Sequence, residues 1–433
     1  MARTRLHDLP EIGYKVISVI PENEDQIEDF TQIASVRRLE LEVWGVPKLN
    51  QELSVLVPPE SLSRFLMELS ASNINYYIKV DNLESLIDQE ARGNEMKKMA
   101  KMLFSSPQQY IVNTYARHDE INNYLDMMVE QYSPLASIFT VGTSHEGRLM
   151  KGIKIGGQSS GNKPAIWIDA GIHAREWIAP ATAVYIINEL LSSYESNELV
   201  QSMVDTFDWY ILPVVNPDGY EYSHTTDRLW RKNRSGDDAD CNCDVNNDRK
   251  CRKRAPCCGT DLNRNFGYMW DPPVVASDNK CESIFRGRAA FSEIEAANVR
   301  DFLSDPTRNF QVYVTLHSYG QQWLLTWGYT TDVRPDDYDD QMRVATIGAN
   351  ALKATNGLDF WEVGTSGDLL YSTSGASDDW AKGGAGIKYA FTLELRPSSD
   401  RVGFVLPPDQ IDESGSEMFA AMMAVAEEVA KET

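Results

Sequence analysis

Hydrophobic and polar positions along the first part of the chain predict short strands separated by two helices. Strand-like alternation occupies residues 14–20, 39–44, 51–57 and 76–80. Helical periodicity occupies residues 22–33 and 58–69. This β-α-β-β-α-β order is typical of a small split-βαβ domain of the α+β class. We expect a tail at residues 1–10 and a domain at 11–81, which holds no histidine or cysteine and is a poor candidate for chemistry.

A helix-favouring stretch at residues 82–102 follows this domain, and a polar stretch follows the helix at 105–109. The second half of the predicted helix carries four basic residues, namely Arg92, Lys97, Lys98 and Lys101. We predict that residues 82–109 form a connecting helix and an exposed region that a trypsin-like protease can cut. An ordinary linker is the alternative interpretation.

Beyond residue 110 the pattern changes to long apolar runs that each end at polar residues. The predicted strands occupy residues 165–172, 207–215, 311–316 and 387–393. Helical segments lie between them, for example at residues 181–192, 292–303 and 340–355. Continuous apolar strands alternating with helices predict an α/β domain at 110–433, with a mixed, mostly parallel sheet and helices on both faces. Ligands of such sheets bind beyond the carboxyl ends of the strands.

Composition and charge narrow the possible partners. The 433 residues are 42% hydrophobic, so a sizeable core is expected and a wholly disordered chain is excluded. The chain has 41 Lys and Arg against 64 Asp and Glu, a net charge of −23. Nucleic acid and anionic membranes are therefore poor partners, whereas a cationic substrate is attracted. No apolar run approaches the ~20 residues of a membrane span. We also expect the protein to be a monomer.

Six cysteines fall within one stretch of the chain, at Cys241, Cys243, Cys251, Cys257, Cys258 and Cys281. A zinc knuckle usually has two residues between its paired thiolates, and neither close pair here has that spacing. Disulfides are the favoured interpretation and a zinc site is the alternative. Disulfides imply an oxidising compartment, so we expect a secreted protein, although no secretion signal is visible at residues 1–10.

Two histidines and a glutamate at predicted strand ends are candidate metal ligands. His173 and Glu176 are three residues apart just after one strand, and His317 ends another. Two imidazoles and one carboxylate leave a fourth tetrahedral position open, as in catalytic zinc sites. Glu394 ends a further strand and is a candidate general base. Each residue alone has an ordinary structural interpretation, as a core histidine or a strand-end acid.

Arginine and asparagine side chains supply candidate donors for the same site. Arg231 lies in LWRK at 229–232, and Asn263 and Arg264 lie in DLNRN at 261–265. Their N–H groups suit a carbonyl oxygen and a carboxylate, which arginine binds through two parallel hydrogen bonds. An arginine taken alone is more often a solvated surface residue.

Six motifs together resemble those of the zinc metallocarboxypeptidases of the pancreatic A/B type. They are GIHAREW at 171–177, NPDGY at 216–220, RLWRK at 228–232, DLNRN at 261–265, LHSY at 316–319 and FTLELR at 391–396. Their order and approximate spacing match the family over residues 110–433. The residues before them resemble the family's activation segment, so the resemblance implies a procarboxypeptidase.

The resemblance implies a role for each candidate residue. His173, Glu176 and His317 would bind one Zn²⁺, with Asp261 accepting a hydrogen bond from the His173 ring. Glu394 would be the general base and then the acid, and Arg231 would stabilise the oxyanion. The residues expected to bind substrate are Arg175, Asn263, Arg264, Tyr319 and Tyr371. The resemblance also implies a disulfide between Cys257 and Cys281 and a cis peptide bond between Ser318 and Tyr319.

Side-chain preference rests on Asp378, which falls where B-type members place an acid and A-type members an apolar residue. A buried carboxylate there would pair with a C-terminal Lys or Arg. Neighbouring Asp379 is expected to be structural, while Gly328 departs from the B-type pattern and Asp368 has no clear counterpart. The resulting hypothesis is a zymogen that a trypsin-like protease activates and that removes C-terminal Lys or Arg from peptides and proteins. The alternatives are an A-type exopeptidase and a non-catalytic peptide-binding relative.

Overall fold

The computed structural model describes residues 13–36, 39–104, 111–157, 163–237, 241, 257–357, 361–398 and 402–432. The chain divides into two compact units. The first unit comprises Met1–Arg92 and Asp400–Val405, and the second comprises Gly93–Ser399 and Leu406–Thr433.

Within its described residues, the first unit is an antiparallel sheet with two helices. Its strands are β1 (Lys15–Ile20), β2 (Glu42–Trp44), β3 (Leu53–Val57) and β4 (Asn75–Val80), in the order β2-β3-β1-β4. Its helices are α1 (Glu24–Ala34) and α2 (Pro59–Ala71). The core includes Ile17, Val55 and Phe65. Strand β2 is shorter than predicted because Glu40 has φ +48°, a left-handed conformation that interrupts an extended strand.

The second unit is built on an eight-stranded mixed sheet of the described residues. Its strands are β5 (Ala136–Thr143), β6 (Leu149–Ile155), β7 (Ala165–Ala170), β8 (Asp208–Leu212), β9 (Phe310–Ser318), β10 (Gln322–Leu325), β11 (Glu362–Thr365) and β12 (Tyr389–Leu395). The strand order is β11-β10-β12-β9-β7-β8-β6-β5. The four strands predicted from sequence are the adjacent β12, β9, β7 and β8, which pair in parallel. The predicted mixed sheet, preceded by a small α+β domain, is therefore confirmed.

Helices cover both faces of this sheet. Helix α3 (Leu83–Phe104) begins in the first unit and continues into the second. The others are α4 (His118–Gln131), α5 (Ile178–Ser192), α6 (Glu198–Thr206), α7 (Pro217–Thr225), α8 (Ile294–Leu303), α9 (Tyr338–Asn356), α10 (Ser366–Leu369), α11 (Ser377–Gly383) and α12 (Ile411–Val429). On one face, α8 and α11 share a core with Trp167 and Tyr313. On the other face, α5 packs on β7 and β9 and is itself covered by α12.

Candidate active site

The loop between β7 and α5 brings two candidate ligands together beyond the carboxyl end of the sheet. Gly171 turns the chain with φ +64°, a conformation that costs other residues energy. His173 and Glu176 follow at once and are both buried. The guanidinium Nη1 of Arg228 donates to the backbone oxygen of Arg175 at 2.7 Å and so holds the loop from outside.

The three predicted metal ligands converge on one point. Nδ1 of His173 lies 2.8 Å from Oε1 of Glu176, and Nδ1 of His317 lies 3.1 Å from Oε2 of the same carboxylate. The two Nδ1 atoms are 3.1 Å apart, and the candidate ligand atoms all lie within 4.8 Å of one another. Such spacing suits ligands that share one ion at about 2 Å, and the His₂Glu donor set is that of catalytic zinc. The residues present therefore fit a zinc ion.

Charges around the three ligands keep the carboxylates ionised. Burial alone would raise the pKa of Glu176, but the imidazoles of His173 and His317 hold it below its usual range. Asp261 is also buried, and Arg231 followed by His173 holds its pKa well below the usual value. Oδ1 of Asp261 lies 3.1 Å from Nε2 of His173, which leaves Nδ1 for a metal.

Arg231 and Glu394 lie at the edge of this group. Both Nε and Nη2 of Arg231 donate to Oδ2 of Asp261, at 3.0 and 2.8 Å. Glu394 is the register partner of His317 on the neighbouring parallel strand. Burial raises the pKa of Glu394 to about 8, against the opposing charges of His317 and Arg231. A carboxyl with that pKa can hold or release a proton near neutral pH.

The residues predicted to bind a substrate carboxylate come from two further segments. Asn263 and Arg264 lie in a buried 3₁₀ turn at Leu262–Arg264, and Oδ1 of Asn263 accepts from the backbone N–H of Ser377 at 2.8 Å. Burial alone would lower the pKa of Arg231, but the charges of Asp261, Glu176 and Tyr371 hold that pKa above its usual value. Tyr371 therefore lies near the Arg231 guanidinium.

The remaining two predicted residues flank the metal ligands in the chain. Arg175 is buried, and its Nη1 donates to the backbone oxygen of Leu229 at 3.4 Å. Tyr319 follows β9 and is half-buried, and the Ser318–Tyr319 peptide bond is cis, as the resemblance implies.

The adjacent acids Asp378 and Asp379 have different surroundings in the first turn of α11. Asp379 accepts hydrogen bonds from the backbone N–H groups of Gly328 and Tyr329, at 2.8 and 2.9 Å. Asp378 is 2% exposed, and its Oδ2 has no hydrogen-bond partner among the described residues. Asp368 is an ion-pair partner of Arg334 at 2.5 Å. Of these three acids, only Asp378 therefore has a buried carboxylate oxygen that accepts no hydrogen bond from the described residues.

The described cysteines form two disulfides, and the neighbouring residues Cys257 and Cys258 each take part in one of them. Cys257 bonds to Cys281, and Cys258 bonds to Cys241. The first is the pairing implied by the resemblance, and these four cysteines follow the disulfide interpretation. The other two, Cys243 and Cys251, lie outside the described residues.

A stacked group that supports the metal loop was not predicted from the sequence. The Trp177 ring stacks on His224 with centroids 3.9 Å apart, and the Arg228 guanidinium lies 3.7 Å from the Trp177 ring. Because Trp177 directly follows Glu176, this stack fixes the end of the ligand loop. The motif RLWRK at 228–232 was the available signal for Arg228.

Comparisons with known families agree with this geometry. The zinc carboxypeptidase family model matches residues 121–421, and the carboxypeptidase activation peptide model matches residues 17–90. The chain belongs to the zinc carboxypeptidase family. Its architecture is that of a procarboxypeptidase, with an activation segment ahead of the enzyme domain. His173, Glu176 and His317 are its candidate zinc site.

Relatives of this carboxypeptidase include proteins named for both specificities. Carboxypeptidase B of Astacus astacus is 44% identical over 72% of this chain and 96% of its own length. Carboxypeptidase A2 of Mus musculus is 34% identical over 96% of this chain and 94% of its own. The crystal structure of thrombin activatable fibrinolysis inhibitor matches with a TM-score of 0.84 at 30% identity, covering 97% of this chain and 100% of that one. Within the described residues of this carboxypeptidase, no helix is both long and apolar enough to cross a membrane.

Removing zinc from this carboxypeptidase should abolish hydrolysis and destabilise the enzyme domain. An ion that binds only the folded state stabilises it, so a chelator should lower the melting temperature by roughly 5 °C. His317→Gln should reduce bound zinc to well under one ion per chain. Metal analysis and thermal unfolding of both proteins test this. Asn122→Gln is the control, because its Nδ2 contacts the ring of a different histidine, His118, at 3.2 Å. Full zinc content in His317→Gln would contradict the ligand assignment.

Proposed function

We propose that the protein is the zymogen of a secreted exopeptidase that removes C-terminal Lys or Arg from peptides and proteins. The observation that carries the B-type preference is the buried Oδ2 of Asp378, which has no donor among the described residues. A cationic side chain entering the site would pair with that carboxylate. An apolar side chain would leave a buried charge unpaired, which costs several kcal/mol. The net charge of −23 also favours a substrate with a cationic side chain.

We assign recognition of the substrate's terminal carboxylate to Asn263, Arg264 and Tyr371. Oδ1 of Asn263 is occupied by the Ser377 N–H, so its amide nitrogen is the group that remains to donate. Arg264 is buried and supplies a fixed positive charge. Since Asn263 contacts the residue that precedes Asp378, the carboxylate-binding group and the side-chain pocket are directly connected. Arg175 and Tyr319 complete the proposed substrate-binding set.

The proposed reaction needs one proton to move twice. Bound zinc would supply a Lewis acid that polarises the scissile carbonyl and acidifies water. Glu394 takes a proton from the attacking water and later donates it to the leaving amine nitrogen. The charge that develops on the carbonyl oxygen is stabilised by Arg231, whose guanidinium Asp261 holds in place through two hydrogen bonds.

The basic residues of α3 differ in their access to a protease. The Arg92 side chain is 79% exposed, and its contact is with Asp88 at 3.5 Å, whereas Lys98 is 11% exposed and bonds Glu120 at 2.8 Å. Lys97 donates to the backbone oxygen of Pro408 at 2.6 Å, and Lys101 to that of Val112. A helix must unwind locally before a protease can bind and cut it. Glycine has a low helix propensity, so Gly93 makes this unwinding easiest beside Arg92. We propose that activation begins by cleavage after Arg92.

Kinetics on two matched peptides, ending in Arg or Phe, test this proposal before and after trypsin treatment. We expect little activity before trypsin and hydrolysis of the Arg peptide afterwards, preferred over the Phe peptide by at least about tenfold. Arg92→Gln should slow the appearance of activity, whereas Lys101→Gln is the matched control and should not.

Each other result of these kinetics selects an alternative. A preference for Phe after activation would assign A-type specificity, and no turnover of either peptide would indicate a non-catalytic binding protein. Full activity before trypsin would remove the zymogen proposal. Slower activation of Lys101→Gln but not of Arg92→Gln would move the first cut to the end of α3.

The proposed secretion is supported by the two disulfides among the described residues, because disulfides persist in oxidising compartments.

A further inference from the structure

Helix α3 crosses the boundary between the two compact units of the chain. Within this helix the first unit ends at Arg92 and the second begins at Gly93, although the helix continues without a break to Phe104. The second half of α3, residues 93–104, therefore belongs to the same compact unit as the eight-stranded sheet. This boundary coincides with the cleavage proposed after Arg92.

Asn94 binds the enzyme domain through both ends of its side-chain amide. Its Nδ2 donates to the backbone oxygen of Tyr115 at 2.9 Å, and its Oδ1 accepts from the backbone N–H of Tyr115 at 2.8 Å. The residue is 7% exposed, so the two hydrogen bonds lie away from water, where such bonds are stronger. The pair fixes the backbone of Tyr115 against the second half of α3.

Three lysines of the same half-helix also bind acceptors on the enzyme domain. The pairs are Lys97 with the backbone oxygen of Pro408 at 2.6 Å, Lys98 with Glu120 at 2.8 Å, and Lys101 with the backbone oxygen of Val112. Hydrogen bonds from charged donors are stronger than those between neutral groups. A trypsin-like protease binds the side chain that precedes the bond it cuts, so these lysines must leave their acceptors before they can be cleaved.

The apolar residues of the half-helix do not account for its attachment. Met96, Met99 and Met102 are each at least 60% exposed. Among the described side chains of this segment, the groups that contact the enzyme domain are thus mainly polar. Hydrogen bonds and ion pairs therefore hold the segment in place, and a variant that removes one of them tests the attachment directly.

Tyr115 links the half-helix to the loop that carries two candidate zinc ligands. The centroid of its ring lies 5.6 Å from that of Trp177, which directly follows Glu176. Its hydroxyl donates to the backbone oxygen of Leu406 at 2.8 Å, and the residue is 1% exposed. Because Asn94 holds the backbone of Tyr115, the position of the ring against Trp177 depends on the half-helix.

We propose that residues 93–104 stay bound to the enzyme domain after activation and support the zinc-ligand loop through Tyr115. Cleavage after Arg92 separates residues 1–92 and leaves the half-helix as the first element of the active enzyme. A later cut after Lys101 would place Asn94 on a short peptide that can dissociate, and Tyr115 would lose both of its hydrogen bonds to that side chain. This inference rests on the proposed function, because it takes Arg92 as the first cleavage site.

Limited trypsin treatment of the full-length zymogen, sampled over time, tests the proposal. Mass spectrometry of the active species should find Gly93 at its N-terminus. In Asn94→Ala, cleavage after the three lysines should be at least about tenfold faster, because two buried hydrogen bonds no longer oppose local opening. Release of zinc from the activated variant to a chelator should be about threefold faster. Glu95→Ala is the matched control, because Glu95 is the next residue of the helix and is exposed.

The N-terminus of the unaltered enzyme decides the proposal even if Asn94→Ala does not fold. An active enzyme that lacks residues 93–101, or an Asn94→Ala variant with the cleavage and zinc release of Glu95→Ala, would overturn this inference. The proposed function fails separately. An activated enzyme that begins at Gly93 and holds its zinc, but prefers Phe or hydrolyses neither peptide, would overturn the proposed function and support this inference.

Discussion

Replacing Glu394 with glutamine is expected to lower kcat/KM for a peptide ending in Arg by about 10²- to 10⁴-fold. Positioned general acid–base groups contribute this much, and glutamine keeps the size of the side chain while it cannot carry the proton. Glu394 is the register partner of the candidate zinc ligand His317, so it lies beside the candidate metal site. Burial raises its pKa to about 8. The measurement is steady-state kinetics after trypsin activation.

Zinc content and a matched variant make the Glu394 result interpretable. Bound zinc should remain at one ion per chain, because Glu394 is not a member of the ligand group. Glu362→Gln is the control on the nearby strand β11, where its Oε2 accepts from Gln322 at 3.0 Å and is exposed. That variant should keep full activity. Turnover by Glu394→Gln at the rate of the unaltered enzyme would assign the proton transfers to another group.

Asp378→Asn is expected to reduce the preference for Arg over Phe by at least about a hundredfold. Removing one partner of a buried ion pair costs about 3–5 kcal/mol, and here the unpaired partner would be the side chain of the substrate. Most of the loss should appear in kcat/KM for the Arg peptide, while hydrolysis of the Phe peptide stays equal or improves. The ratio of kcat/KM values for the two peptides measures it.

Asp368→Asn is the matched control for this specificity change. Asp368 lies on α10, just before the same loop, but its carboxylate contacts Arg334 at 2.5 Å and its side chain is 42% exposed. The Arg preference should survive this change, because a partly exposed ion pair contributes little. A variant of Asp378 that still favours Arg strongly would remove the B-type assignment and leave the zinc peptidase assignment intact.

The central strands were predictable from sequence because both of their faces are buried. All six residues of β7 are buried, which produces a continuous apolar run that is hard to mistake. Strand β5 is an edge strand with mixed burial, so its hydrophobic signal is weak and it was not predicted. Strands β10 and β11 have four residues each, too few for a clear period.

The candidate metal ligands were predictable because they lie at the end of a recognisable strand or in the loop just after one. Their convergence depends on strand order. His173 and His317 meet because β7 and β9 are adjacent in the sheet, which pattern alone does not specify.

The Cys241–Cys258 disulfide has a consequence for the proposed proteolytic activation. Between Cys241 and Cys258 the sequence contains five basic residues, at Arg249, Lys250, Arg252, Lys253 and Arg254. A trypsin-like protease cleaves after Lys and Arg, so these positions match its sequence preference. Because the Cys241–Cys258 bridge spans this stretch, one scission inside it leaves both flanks covalently attached. The product would be a two-chain molecule that migrates as one species until a reductant separates it.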